Sequence, residues 1–196
     1  MGVRRAIFLD RDGVINENRP DYVKSLAEFV FLPGALEALR LLAGVGMPIV
    51  VVSNQSAINR GLVSHAMVDA ITQAMQRQVE MAGGRIDAVF YCPHRPDEGC
   101  TCRKPKTGLF HQAARRLDLQ LAGSYVVGDA LSDIQAALSI GAHPLLVLTG
   151  RGREQVALLD GTLRDSVPIF DDLSAAVRWI WRFENGGGNF PHHKYR

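Results

Sequence analysis

The stretch FLDRDGVIN, residues 8–16, decides how the rest of the chain is read. AIFLD (6–10) is a short apolar run of strand character, and it ends on two carboxylates, Asp10 and Asp12, followed at once by Gly13. A glycine there gives the chain freedom to turn. Taken alone, a D-x-D at a strand end can be ordinary turn or cap chemistry. In open α/β sheets, however, ligands bind outside the carboxyl ends of the strands, which is where this pair sits.

Further short apolar or β-branched runs follow: PIVVVS (48–53), AVFYC (88–92), SYVVGD (124–129), HPLLVL (143–148) and VPIF (167–170). Between them, residues 33–44, 64–83, 107–119 and 131–142 carry helical spacing, with Pro, Ser or Thr near several starts and Gly near the ends. A last helix is predicted from Asp171, with Leu173, Val177 and Ile180 on one stripe. The alternation predicts an α/β fold, a Rossmann-like parallel sheet with helices on both faces. One domain is expected over residues 1–184, with residues 185–196, rich in glycine and polar side chains, as a loose tail.

The 196 residues are 47% hydrophobic, enough for one buried core. A formal net charge of +2 supplies no field that would mark nucleic acid as a partner. No apolar run approaches the roughly 20 residues of a membrane helix. The expectation is a cytoplasmic monomer acting on a small phosphorylated metabolite, without nucleic acid or membrane as partner.

Other strand ends carry matching chemistry. Ser53 and Asn54 in VVSNQS offer a hydroxyl and an amide suited to phosphoryl oxygens, and Asp129 in VVGDALSD offers another carboxylate. Lys104, beside Arg103 in CRKPKTG, supplies positive charge near the helix opened by Thr107. Phosphoryl transfer needs an in-line nucleophile, a proton donor for the leaving oxygen and cations on the equatorial oxygens. Asp10 can be the first and Asp12 the second. A carboxylate approaching a phosphate dianion requires a divalent ion, for which Mg2+ suits these oxygen ligands, and Asp129 can be a ligand. Asp133 has two open readings, an indirect catalytic carboxylate or a helix cap.

All three cysteines fall in YCPHRPDEGCTCRKP (91–105), as Cys92, Cys100 and Cys102 with His94. Three thiols and an imidazole match a closed tetrahedral zinc shell, which is structural because no position remains for substrate. The alternatives are a local disulfide or reduced surface thiols, and Cys100 and Cys102 are placed awkwardly for bridging. Because the loop ends just before Arg103 and Lys104, a folded metal loop would fix the backbone that carries them.

The four segments FLDRDGVIN, VVSNQS, CRKPKTG and VVGDALSD resemble the motifs of the haloacid dehalogenase superfamily, over most of residues 5–150. With C-x-H…C-x-C just before R-K-P, the chain closely resembles the D-glycero-D-manno-heptose 1,7-bisphosphate phosphatases and the related histidinol-phosphate phosphatases. The resemblance implies that Asp10 forms an aspartyl-phosphate, that Asp12 protonates the leaving group and then activates water, and that Asp10, the backbone carbonyl of Asp12 and Asp129 bind Mg2+. It implies removal of the 7-phosphate, a place in building heptose units of cell-surface glycans, and a contact from Arg60 in NQSAINRG to the distal part of the substrate. The stretch from Asn16 to Pro33 is too short for a separate cap domain. Ala130 stands where heptose enzymes often carry Lys, and Ser53 where Thr is frequent.

Histidinol phosphate is the alternative substrate. A different class, the phospho-accepting receiver domains, shares an acidic strand end with a downstream Ser and Lys, but has no use for an acid/base at Asp12 or for a zinc loop. His65, His111 and His143 read as surface or packing residues, His192 and His193 as part of the tail, and at most one of Trp179 and Trp181 can face the core.

Overall fold

The computed structural model describes residues 4–186. Six strands, β1 (Arg4–Leu9), β2 (Ile49–Asn54), β3 (Ala88–Cys92), β4 (Leu119–Gly128), β5 (His143–Val147) and β6 (Ile169–Phe170), form one parallel sheet in the order β3-β2-β1-β4-β5-β6. The strands read as unbroken apolar runs because both faces are covered. On one face Ile7, Leu9, Val51 and Val127 pack with α1 (Ala35–Ala43), α2 (His65–Met81) and α7 (Leu173–Gly186). On the other, Ala6, Phe8, Val52 and Val126 meet α3 (Gly108–Leu117) and α4 (Leu131–Ser139), with Phe8 edge-on to Phe110 at 5.1 Å.

The strand order reverses between β1 and β4, the two neighbours at the centre of the sheet. Chain direction carries the connections away on either side of this point, leaving a crevice above the strand ends. Asp10 and Asp129 emerge there side by side.

β4 begins five residues before its predicted start. Gly123 lies at φ +75°, and the register slips so that Arg5 faces Gln120 while Ile7 faces Tyr125. Ser124 bridges the gap, accepting Ala6 N–H at 3.0 Å and donating to Gln120 O at 2.6 Å. Side-chain bonds thus stand in for ladder bonds, which a strand pattern of alternating apolar residues does not reveal.

Two short helices, α5 (Gly152–Val156) and α6 (Gly161–Ser166), were not predicted. Each is too short to show a period, and they are held by packing of Leu159 and Val167 on Ile134 and Leu146. The last helix starts at Leu173, two residues after the expected Asp171, because Asp172 caps it, its Oδ1 accepting Ala175 N–H at 2.7 Å, and it buries Leu173, Val177 and Ile180. It runs to Gly186, past the expected start of the tail, because Glu184 is tied back to Arg5 at 2.7 Å and to the Tyr125 hydroxyl. Trp179 stacks on Phe183, while Trp181 is exposed. The remaining expected tail, with His192 and His193, lies outside the described residues.

Between β1 and α1 the chain makes a single 3-10 turn, Leu26–Glu28, and an isolated bridge from Asn16 to Phe31. No separate cap covers the strand ends among the described residues.

Candidate active site

Asp10 leaves β1 with its N–H bonded to Val127 O at 2.9 Å, which fixes the carboxylate at the centre of the crevice. Its Oδ1 lies 2.9 Å from Lys104 Nζ, which also sits 2.6 Å from Asp133 Oδ1 and donates to Val52 O at 2.7 Å. The buried ammonium thus donates to one carbonyl and is paired by charge with two carboxylates. Burial alone would push the Lys104 pKa down, but Asp10 and Asp133 outweigh it and hold it above the usual range. The Asp10 pKa is raised as well, there by burial, with Lys104 opposing and Asp133 adding repulsion.

Asp133 caps a helix, one of the readings left open by the sequence, and also pairs with Lys104. Its Oδ2 accepts Ala130 N–H at 3.1 Å, capping α4, and its Oδ1 faces Lys104.

Asp129 is fully buried, and burial, followed by repulsion from Asp10 and Asp133, pushes its pKa up to about 7. Its Oδ2 accepts Arg151 N–H at 2.8 Å, whereas Oδ1 is buried with no hydrogen-bond partner. Gly13 (φ +87°) and Gly150 (φ +56°) pack on this carboxylate so closely that a Cβ on either would fall 2.2 Å from Oδ2. Oxygens of Asp10, Asp129 and Asp133 gather within 4.8 Å of one another. Since both Asp133 oxygens are engaged, Asp10 and Asp129 are left as a hard, oxygen-only donor set. An orphaned buried carboxylate oxygen in such company fits a divalent cation such as Mg2+. The loop Thr149-Gly150-Arg151, which shapes this pocket, was missed because its part is played by backbone and by the lack of a side chain. Thr149 also donates to Gly13 O at 2.6 Å.

Asp12 is held by three residues. Arg11 Nη2 reaches both of its oxygens at 3.0 Å, Asn16 Nδ2 donates to Oδ1 at 2.8 Å, and Gln55 Nε2 donates to Oδ2 at 2.6 Å. Burial pushes the Asp12 pKa up, but Arg11, Asn16 and Gln55 together bring it below the ordinary value. Arg11 is itself 2% exposed. The sequence reading passed over Arg11 and Gln55, although both adjoin quoted motif residues, since an arginine beside a carboxylate reads as a surface charge.

A cavity of about 380 Å³ opens above these groups, lined among others by Asp10, Asp12, Ser53, Asn54, Arg103 and Lys104. Asn54 Oδ1 accepts Lys104 N–H at 3.1 Å and Nδ2 donates to Lys104 O at 3.2 Å, so both ends of its amide are bonded to backbone. Arg60 is exposed and does not line the cavity, whereas Arg19 and Arg151, unnoticed in the sequence, do.

Cys92, His94, Cys100 and Cys102 bring one donor atom each within 4.8 Å of the others. The cysteines are free, with Sγ of Cys92 and Cys102 at 2.9 Å, well beyond the roughly 2.05 Å of a disulfide. Burial pushes the Cys92 thiol strongly up, a penalty that a cation relieves. The donor set fits zinc. The loop reaches both neighbouring segments: Arg103 Nη1 donates to His94 O at 3.2 Å, and Asn59 Nδ2 donates to Glu98 at 2.7 Å.

Comparison with known proteins bears directly on this arrangement. Residues 101–176 match the family model described as HAD-hydrolase-like. The D-glycero-β-D-manno-heptose-1,7-bisphosphate 7-phosphatase of Bordetella bronchiseptica is 44% identical over 90% of this chain and 97% of that protein. The chain belongs to this heptose-bisphosphatase family. As a member of the heptose-bisphosphatase family it is an enzyme, a phosphoric monoester hydrolase. The Pseudomonas aeruginosa member is 40% identical over 89% of this chain and 96% of its own length. A crystal structure of the B. bronchiseptica phosphatase complexed with magnesium and phosphate superposes with a TM-score of 0.86 at 42% identity, covering 91% of this chain and 99% of that one. The Burkholderia thailandensis enzyme gives a TM-score of 0.68 at 36% identity, covering 90% and 98%. No helix among the described residues is long and apolar enough to cross a membrane.

Proposed function

We propose that the chain removes the 7-phosphate of D-glycero-D-manno-heptose 1,7-bisphosphate through an aspartyl-phosphate on Asp10. One observation carries the reading: Asp10 lines a cavity together with Ser53 and the cations Arg103 and Lys104, and an oxygen of the buried Asp129 carboxylate, whose Oδ1 has no hydrogen-bond partner, lies within 4.8 Å of an Asp10 oxygen. A nucleophile, an oxygen set for Mg2+ and groups for an anion are what phosphoryl transfer requires. The relatives' name supplies the substrate.

Asp12, an ionised carboxylate in the free enzyme, takes up a proton as the substrate binds; Asp10 then attacks phosphorus while the bond to the sugar oxygen breaks, and Asp12 gives that oxygen its proton. Water then attacks the phosphorus, loses its proton to Asp12, and the bond to Asp10 breaks, releasing phosphate. Asp10, the Asp12 carbonyl and Asp129 would hold Mg2+, which offsets the charge of the phosphoryl oxygens when bound. Ser53, the Asn54 segment, Arg103 and Lys104 bind the phosphoryl group. Arg60, exposed on its loop, is left as a contact for the distal end of the sugar. The zinc ligands Cys92, His94, Cys100 and Cys102 brace Arg103. The enzyme works as a cytoplasmic monomer, in keeping with reduced cysteines grouped as metal ligands.

The test is phosphate release in the presence of Mg2+ from both anomers of the heptose bisphosphate and from histidinol phosphate. Preference for a heptose anomer, abolished in Asp10→Asn, is expected. Preference for histidinol phosphate would overturn the substrate, and wild-type turnover by Asp10→Asn would overturn the mechanism. A long-lived phosphorylated protein without turnover would point to a receiver-like role.

A further inference from the structure

Gln55, 3% exposed, sits just beyond β2 and makes three hydrogen bonds with its side-chain amide. Nε2 donates to Asp12 Oδ2 at 2.6 Å and to Ser53 Oγ at 2.9 Å, while Oε1 accepts Arg11 Nη2 at 3.1 Å. A guanidinium only donates and a carboxylate only accepts, so the two neighbours leave the amide one orientation, oxygen to Arg11 and nitrogen to Asp12. Its second N–H then falls on Ser53. A serine hydroxyl that accepts from an amide keeps its own proton for another partner, and here that proton is available to the cavity.

The other two residues that hold Asp12, Arg11 and Asn16, belong to the same loop as Asp12 itself. Among the described residues Gln55 is the tether that reaches Asp12 from a different strand end, and it links Asp12 to Ser53.

We propose that Gln55 is a positioning residue of the reaction: oriented by Arg11 and steadied by its bond to Ser53, its amide aims Asp12 for proton transfer. This rests on the roles given above to Asp10, Asp12 and Ser53. Gln55 touches neither the phosphorus nor the leaving oxygen in this scheme. It acts through Asp12, which gives a proton to the sugar oxygen in the first step and takes one from water in the second.

Gln55→Met keeps the length of the side chain and removes both donors. The magnesium-loaded enzyme is mixed rapidly with 2,4-dinitrophenyl phosphate, whose leaving group needs no proton. Dinitrophenolate should appear in a burst within about threefold of the wild-type first-turnover rate, followed by a steady state slower by ~10²-fold, because only the water step still needs Asp12. Turnover of the heptose bisphosphate should fall by a similar factor. In an Asp12→Asn background Gln55→Met should change turnover by less than about threefold, as expected for groups acting as one unit. Equal loss in burst and steady state would mean a structural role and overturn the proposal, as would no loss in either. If Gln55→Met melts early, Gln55→Glu keeps the Arg11 bond, loses the donors and should separate burst from steady state in the same way. An Asp10→Asn enzyme that still produced a burst would overturn the nucleophile reading, a result distinct from any of these.

Discussion

Asn54 and Lys104, fifty positions apart, form a closed pair in which both ends of the Asn54 amide bond the backbone of Lys104. The tip of β2 thereby sets the height at which the Lys104 ammonium meets Asp10. Asn54→Ala should cost about 1–2 kcal/mol of stability for the two lost bonds. It should also lower kcat/KM by roughly tenfold or more through misplacement of the clamp. Urea unfolding and steady-state kinetics on the same preparation check both, and unchanged kinetics would assign Asn54 to stability alone.

The zinc loop bears on the same phosphate through Arg103, whose guanidinium is pinned to His94 O. Cys100→Ser/Cys102→Ser should lose bound zinc and reduce kcat/KM by at least about tenfold, as a clamp displaced by an ångström does. Zinc content by atomic absorption is read beside the kinetics. Full turnover by zinc-free protein would show that the loop does not brace the site.

Asp129 predicts how magnesium and pH act on stability. Its pKa of about 7 in the metal-free fold lies above the ordinary 3.8, so this fold holds a proton that the unfolded chain releases. The group therefore costs nothing below pH 4, and stability is lost as pH rises from there through about 7. A bound cation removes that loss at high pH, but at low pH it must displace the proton. The rise in melting temperature on replacing EDTA by Mg2+ should be larger near pH 8 than near pH 5. An equal rise at both would show that Asp129 is not the ligand.

Asp133 and Lys104 form an ion pair whose side chains are 1% and 3% exposed. Asp133→Ala leaves Lys104 short of a partner and α4 without its cap, and should destabilise the protein by about 3–5 kcal/mol. Chemical unfolding measures it. A loss under about 1 kcal/mol, the scale of an exposed pair, would show that Lys104 is compensated elsewhere.

Much of the fold was legible because its strands lie inside the sheet. Buried on both faces, β1, β2 and β5 must be short apolar runs, the half-buried edge strand β3 keeps the same character, and helices α1 to α4 must carry one apolar stripe each. The same reasoning fails where structure is held by something other than apolar burial. The first half of β4 is completed by the Ser124 hydroxyl, and α5 and α6 are too short to repeat a pattern.

In the candidate site, the residues found from sequence are those with distinctive chemistry at strand ends: Asp10, Asp12, Ser53, Lys104 and Asp129, and the Cys/His set. Their supporting partners were not found. Gly150 acts by lacking a side chain, Arg151 by its backbone N–H, and Gln55 and Arg11 by an orientation that only neighbours impose.

The sequence by itself determined which strand ends bear carboxylates, which loop gathers thiols, and that the sheet is parallel, because local pattern and residue chemistry are written in the order of the chain. Tertiary structure alone decided that Asp129 keeps one oxygen without a partner, that the Asn54 amide bonds the backbone of Lys104, and that the helix after β6 runs on to Gly186. Each depends on groups far apart in sequence competing for one hydrogen bond or one charge, and that competition is settled only when the strands lie side by side.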